Sequence, residues 1–590
     1  MRIRTLAAAP LAVFVLIVST PAVADDYFPS AAIPSESVLP KSTIALATIP
    51  SVTEFRSRWD RSSFGQMAAD PAFGPFFGDV RGRIAALSDA FGLDLPALWS
   101  QVDGELSVGL VPGEGPQRLT LVGIVNFDRD ESAAGEWIDR LESQLKASGG
   151  KSLQLTAQPD AGPTRALTAW STTAVRSGRP VEQSLAYYRD GGHVVVADGL
   201  PALLSIARSN GPESSLLGSD AYRQVKAETQ PARGSAAIRW YVNPAAAVDA
   251  AVTSELGSRQ STGLLRSLVE KSGVNQFRGF GGLFDLPGGG LDSVTSTYGF
   301  IDGPPRGLLR AFAMEATRQQ PPRWVKDDVS LYAQVNFDPA RLVQVVRETV
   351  DGTRGEGTFD AALMQQPLGG TGVTVADIAG QITGPIHFAA EVPESAAELT
   401  RQSTIISAGI RDPKRMAELI DRLAAASTER TETKTGTTVY TLPLTLEVPA
   451  GTPLTALAAP ELAVAIGPDG LMLSTDGDYL TATLDGIGSG RSLADSPQYA
   501  EVARNYPEQT AVINYQRQDG RFAGLYEQLR SGGLPAIGTT GVLATALGFD
   551  FQKLPPFSAM SRYLQSTGGF IVPAENGFRI VNFSLPPREQ

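Results

Sequence analysis

The chain has 590 residues, of which 42% are hydrophobic and 7% aromatic, and its formal net charge is −12. It is too long for one ordinary domain and too apolar for wholesale disorder, and an acidic chain without basic clusters argues against nucleic acid as a partner. With no cysteine, thiol nucleophiles, thiolate zinc sites, iron–sulfur clusters and c-type haem attachment are excluded.

Arg2 and Arg4 precede the apolar run "LAAAPLAVFVLIV", and "PAVA" (Pro21 to Ala24) supplies small residues at a cleavage site. This pattern predicts a secretory signal peptide over 1–24, cut after Ala24, with no cysteine there to carry a lipid. The best later apolar stretch, Gly533 to Phe549, is short and broken by Gly and Pro. It falls below the roughly 20 apolar residues a membrane span needs. The expectation is an extracytoplasmic protein, periplasmic or secreted, with no transmembrane segment after signal cleavage.

Residues 25–39 read as an extended leader. After it, "TIALATI" predicts a strand, "VTEFRSRW" and "GDVRGRIAALSDAFG" helices, and "ELSVGLV" and "RLTLVGIVNF" two more strands. In "GEWIDRLESQLK" (Gly135 to Lys146) the apolar residues Trp137, Ile138, Leu141 and Leu145 fall on one helical face. Short strands and hairpins follow, with "RDGG" (189–192) as a turn, then the helix "LPALLSIARS" and a final hairpin.

Ile138-Asp139-Arg140-Leu141 recurs as Ile420-Asp421-Arg422-Leu423. This is part of a longer series in the same order: 101–112 with 381–393, 120–141 with 404–423, 191–199 with 469–477, 219–225 with 496–502, 281–294 with 568–581, and Pro304-Pro305-Arg306 with Pro586-Pro587-Arg588. Six ordered matches imply two copies of one unit, 40–302 and 328–587, joined by a linking helix and a Pro-rich linker over 303–327. Because strands cluster rather than alternate with helices, each copy is expected to be α+β, a largely antiparallel sheet covered by helices.

The chemical motifs are weak. Ser143-x-x-Lys146 and Lys434-Thr435-Gly436 resemble elements of penicillin-binding proteins. However, no Ser-x-Asn element lies between them, and Ser143 faces Ala425 in the repeat. The two histidines, His193 and His387, lie in apolar strands, and His193 aligns with Leu471. Neither H-E-x-x-H nor G-x-S-x-G occurs. Asp128, Asp130 and Glu131 could hold calcium, but an acidic helix N-terminus explains them equally. The Gly-rich "GIGSGRS" (486–492) and the paired glycines of "RGFGGLF" (278–284) are read as conformational rather than phosphate-binding. Residues 540–549 replace Arg266, Glu270 and Lys271 of the first copy by Ala544, Gly548 and Phe549. That change suggests extra burial or an apolar ligand.

The block Leu39 to Phe77 carries Leu39-Pro40, Ser42, Thr43, Pro50, Trp59, Ser62, Gly65-Gln66-Met67 and Asp70-Pro71. In these residues the chain resembles a family of uncharacterised secreted bacterial proteins common in planctomycetes. The resemblance implies an extracytoplasmic domain of unknown function and brings no catalytic residues. The expected function is a non-enzymatic binding or structural protein of the bacterial cell envelope, with no catalytic, cofactor-binding or metal residues assigned. A carrier for an apolar ligand such as lipid and an envelope-directed hydrolase are the alternatives. An envelope protein or an apolar molecule would be the partner, and the oligomeric state is left open.

Overall fold

The computed structural model describes residues 34–587 except 92–93, 114–118, 128–129, 159–163, 177–178, 209–210, 232–233, 235, 254–272, 313, 337, 369–370, 393–402, 427–428, 444–460, 489, 520–521 and 532–549. The expected signal peptide, Asp128 and the apolar stretch 533–549 lie outside the described residues. The fold is α+β with extensive antiparallel sheet, and it divides into two compact units. Unit 1 comprises Met1–Arg266, Phe277–Asp302 and Leu529–Tyr563; unit 2 comprises Ser267–Gln276, Gly303–Gln528 and Leu564–Gln590.

The strands of unit 1 are β1 (Ala45–Ile49), β2 (Leu106–Pro112), β3 (Leu119–Asn126), β4 (Lys151–Ala157), β5 (Arg165–Arg176), β6 (Arg179–Asp190), β7 (His193–Ala197), β8 (Ile238–Val242), β9 (Phe277–Asp285) and β10 (Ser293–Ile301). Their pairings are all antiparallel and give the order β4-β5-β6-β7-β3-β2-β1-β8-β9-β10. Unit 2 supplies β11 (Leu331–Val335), β12 (Ile382–Glu391), β13 (Ser403–Ile410), β14 (Glu429–Glu432), β15 (Thr438–Pro443), β16 (Glu461–Gly467), β17 (Gly470–Ser474), β18 (Val512–Gln516), β19 (Thr567–Ala574) and β20 (Gly577–Ser584). They pair as β14-β15-β16-β17-β13-β12-β11-β18-β19-β20, which is the same order strand for strand.

Helices pack on both faces because the strands bury alternate side chains on each side. On one face of unit 1, Ile49, Leu106, Val125 and Val194 meet Phe55 and Trp59 of the helix Val52–Arg61 and Trp137, Leu141 and Leu145 of the helix Glu131–Ala147. Asp130 caps the second helix by accepting from the Ala133 N–H at 3.0 Å. The Trp137 indole donates to the Leu98 carbonyl at 3.0 Å, so its polar edge is satisfied within the core. In unit 2 the helix Pro413–Leu423 buries Met416, Leu419, Ile420 and Leu423 against Val464 and Leu471. These are the faces the helical spacing predicts.

On the opposite face, Ser219 caps the helix Asp220–Glu228 and Ser496 caps Pro497–Ala503. Tyr222 meets Tyr241 edge-on at 5.3 Å, and Tyr499 meets Tyr515 edge-on at 5.5 Å. Backbone bonds repeat too. Leu216 N–H donates to Leu39 O at 2.8 Å and Leu493 N–H to Val325 O at 2.7 Å.

Three expectations need adjusting. His193 does not align with Leu471: the registers Val125↔Val194 and Ala408↔Leu471 put Val194 there instead, since a one-residue slip moves a side chain to the other face. Among its described residues, the stretch read as a linking helix holds the 3-10 run Gly307–Phe312 and no α-helix. The paired glycines are required for room rather than for unusual dihedrals. A Cβ on Gly281 would lie 3.0 Å from Val225 Cγ1, and one on Gly568 would lie 2.4 Å from Val502 Cγ1.

Candidate functional site

The most concentrated polar chemistry in unit 1 lies where β1 and β2 pair. Thr48 stands opposite Ser107, and their hydroxyls are 2.7 Å apart. Ser35, at the start of the short helix Ser35–Val38, places its own hydroxyl 2.9 Å from that of Ser107. Glu105 Oε1 accepts from the Ser107 hydroxyl at 2.8 Å and from the Ser35 N–H at 2.9 Å. Burial pushes the Glu105 carboxyl above its ordinary range against these hydrogen bonds, and the Glu36 carboxylate adds to the effect. Glu36 in turn pairs with Lys226.

Lys226 also borders a shallow cleft with Leu46, Tyr222, Val225, Thr229, Arg239, Trp240 and Gly282, about 10 Å³ in volume, room for little more than one water. Small-molecule sites start at roughly 300 Å³. The cations of this cleft are already engaged: Lys226 by Glu36, and Arg239 by the Thr229 carbonyl at 3.4 Å. It is a seam between a helix and the sheet rather than a prepared anion site.

The same sheet position in unit 2 carries a different set. Gln334 of β11 stands opposite His387 of β12, and His387 stands opposite Ser407 of β13. The Tyr332 hydroxyl lies 3.0 Å from His387 Nδ1 and 3.3 Å from Gln334 Oε1. A serine beside a histidine invites comparison with a nucleophile and its base, which need a hydrogen bond of about 2.6–3.2 Å. Here the Ser407 hydroxyl is fully buried and has no partner among the described residues. His387 is committed to Tyr332 and held neutral, its pKa pushed down to about 4 by burial. His193 is likewise buried and pushed down to about 4 by desolvation, with Asp190 opposing the shift.

The motifs singled out from sequence stand apart from both clusters. Ser143 back-bonds to the Asp139 carbonyl at 2.7 Å within its helix, and Lys146 pairs with Glu142 at 3.1 Å. Ser143 belongs to unit 1 and Lys434-Thr435-Gly436 to unit 2. In the latter, Gly436 takes φ +81° in a turn, and the Lys434 N–H donates to Asp485. Asp130 serves as a helix cap, while Glu131 lies 3.8 Å from Arg189. Asp476 caps the helix Gly477–Gly486 and accepts from Ser403. Sequence reasoning missed the Glu105 cluster. Its signal was available in "GELS": Glu105 and Ser107 alternate on one strand face. The partners Ser35, Thr48 and Lys226 are too distant in sequence to be inferred.

No family model, curated protein or solved structure matches this chain.

Proposed function

We propose that this chain is an extracytoplasmic binding or structural protein of the bacterial cell envelope that acts without catalysis. The observation carrying this reading is the way its potentially reactive groups are spent. The half-buried Glu105 accepts from Ser35 and Ser107, His387 is tied to Tyr332, and Ser407 is sealed in the core. General acid–base work needs a group within hydrogen-bond reach of a substrate, and each of these faces other side chains instead.

The same reading holds that the chain is a tandem duplication of one α+β unit. The shared strand order, the Ser-capped tyrosine helices and the equivalent backbone bonds support it, together with the six sequence blocks. Duplicated sheets suit a scaffold that presents two related surfaces. Membership of the secreted bacterial family suggested by Leu39 to Phe77 belongs to this proposal, as does cleavage after Ala24. Among the described residues no helix is long and apolar enough to cross a membrane, which is compatible with it.

Expression with the native N-terminus, followed by cell fractionation and intact mass, tests the location: the mature chain should begin at Asp25 outside the cytoplasm. Native mass spectrometry of that material, with turnover assays on peptidoglycan and envelope polysaccharide, tests the rest. Turnover that is lost on Glu105→Gln or Ser407→Ala would replace the binding reading by a hydrolase. Stoichiometric lipid would replace it by a carrier.

A further inference from the structure

The outer strands of the two units differ in a way that bears on association. Among the described residues β4 has a single neighbouring strand, β5, and β14 has a single neighbouring strand, β15. Such edges present unpaired backbone donors and acceptors, and proteins usually blunt them with shortness or charge. β14 is blunted on both counts: it is four residues long, Glu-Arg-Thr-Glu. β4 is seven residues, Lys-Ser-Leu-Gln-Leu-Thr-Ala. Residues 151–154 are exposed, and Leu153 is 58% exposed, the highest value among the large hydrophobic side chains described.

The β4 sequence is complementary to itself when reversed. Full antiparallel overlap of two copies centres on Gln154. It sets Leu153 opposite Leu155, Ser152 opposite Thr156 and Lys151 opposite Ala157. The leucines of both copies then share one face, and cross-strand apolar pairs are the unit of sheet stabilisation. The lysines end up at opposite ends of the ribbon, whereas parallel pairing would put them side by side. The same operation on β14 sets Glu429 against Glu432 twice, a like-charge arrangement that is destabilising. One edge is therefore built against self-pairing and its counterpart for it.

We propose that β4 is a self-association surface: two copies of this chain pair antiparallel through Lys151–Ala157, related by a two-fold axis at Gln154. An interface of one strand per copy is small, so the dimer is a weak, concentration-dependent one.

The absence of cysteine from the chain allows a register-specific test on the full mature protein. Sedimentation velocity between about 1 and about 200 μM, a range suited to a weak dimer, should show a reversible monomer–dimer equilibrium. Leu153→Lys should weaken it at least about tenfold, a loss of about 1.4 kcal/mol, with unchanged circular dichroism and melting temperature. Under mild oxidation Gln154→Cys should cross-link to itself. Ser152→Cys alone should not, and a mixture of Ser152→Cys with Thr156→Cys should form the mixed dimer. Three results would each overturn the proposal: a monomer throughout that range, a dimer indifferent to Leu153→Lys, or Ser152→Cys cross-linking as readily as Gln154→Cys. Protection of β4 amides from hydrogen exchange that appears only with a foreign envelope protein would also overturn it, by giving the edge a different occupant.

Discussion

The half-buried Glu105 and the two buried histidines lie in surroundings that move their titrations to opposite effect on stability. His193 and His387 are held neutral down to about pH 4, whereas an unfolded histidine takes up its proton near pH 6.5. Below about 6.5 the unfolded chain therefore binds protons that the fold refuses, and stability falls as pH drops towards 4. Each histidine costs on the order of 3 kcal/mol over that window. Glu105 acts in the other sense, because its raised pKa means the fold favours the protonated acid. Its contribution is complete below the unfolded carboxyl pKa and is lost as pH rises through the folded one. Urea midpoints at pH 7, 5.5 and 4.5 should accordingly fall with acid in the native chain and fall less in a His193→Gln, His387→Gln double variant. Glu105→Gln, which removes the half-buried charge while keeping a hydrogen-bonding group, should leave the pH 7 midpoint unchanged or raise it. An identical acid response in native and double-variant proteins would mean that other groups carry it.

Elements were legible where periodicity and capping agreed. The helix Glu131–Ala147 has Asp130 as its cap and Trp137, Leu141 and Leu145 on its inner face, and each of these signals lies within a few residues of the next. The pairing of glycine with valine was not legible, because it is a contact between elements. Val225 of one helix packs on Gly281 of β9, and Val502 of its counterpart packs on Gly568 of β19. The sequence showed only that Gly-Gly recurs. A methyl group has no space at either position: the helix valine is the nearest obstacle at Gly568, while at Gly281 the Trp240 carbonyl oxygen of the next strand is nearer still, at 2.5 Å. A Cβ at Gly568 would also lie 2.6 Å from Phe583 Cζ. Gly568→Val should therefore cost about 1–3 kcal/mol or more through overpacking, and Val502→Ala in the same chain should restore part of the loss. Gly123 of β3 is the control. A Cβ there meets nothing within 4 Å, so Gly123→Ala should be neutral or gain up to about 1 kcal/mol from reduced backbone freedom in the unfolded chain. Chemical denaturation of the three variants distinguishes a packing requirement from a general intolerance of substitution at glycine.

At the scale of the whole chain, sequence blocks suggested boundaries at 302 and 328, but compactness follows a different division. Leu529–Tyr563 belongs with unit 1, although it follows most of unit 2 in sequence. Its attachment is specific. Asp70 accepts from the Tyr563 hydroxyl at 2.9 Å and pairs with Arg562. Lys553 pairs with Asp79, Phe551 stacks on Phe76 at 6.3 Å, and Tyr563 meets Phe73 edge-on at 5.9 Å. The Asp70 carboxylate is held below its ordinary range, first by the Ala72 N–H and then by Tyr563 and Arg562. Asp79 is held down by Lys553 and Arg83. No local pattern could reveal this, because the partners are separated by 474 to 493 positions. The consequence concerns where the chain can be divided. Residues 25–302 expressed alone would contain the first copy that the sequence blocks suggest, yet lack the segment that covers Phe73 and Phe76. They should bind a hydrophobic dye, aggregate, and melt without a sharp transition. Co-expression with 303–590 should restore a soluble complex, because the missing segment is then supplied in trans, and Arg562→Ala with Lys553→Ala on the second piece should weaken that rescue. The paired charges are partly exposed, so raised salt should weaken it further. A sharply melting, monodisperse 25–302 fragment would instead show that 25–302 is a folding unit and that the returning segment is an accessory to it.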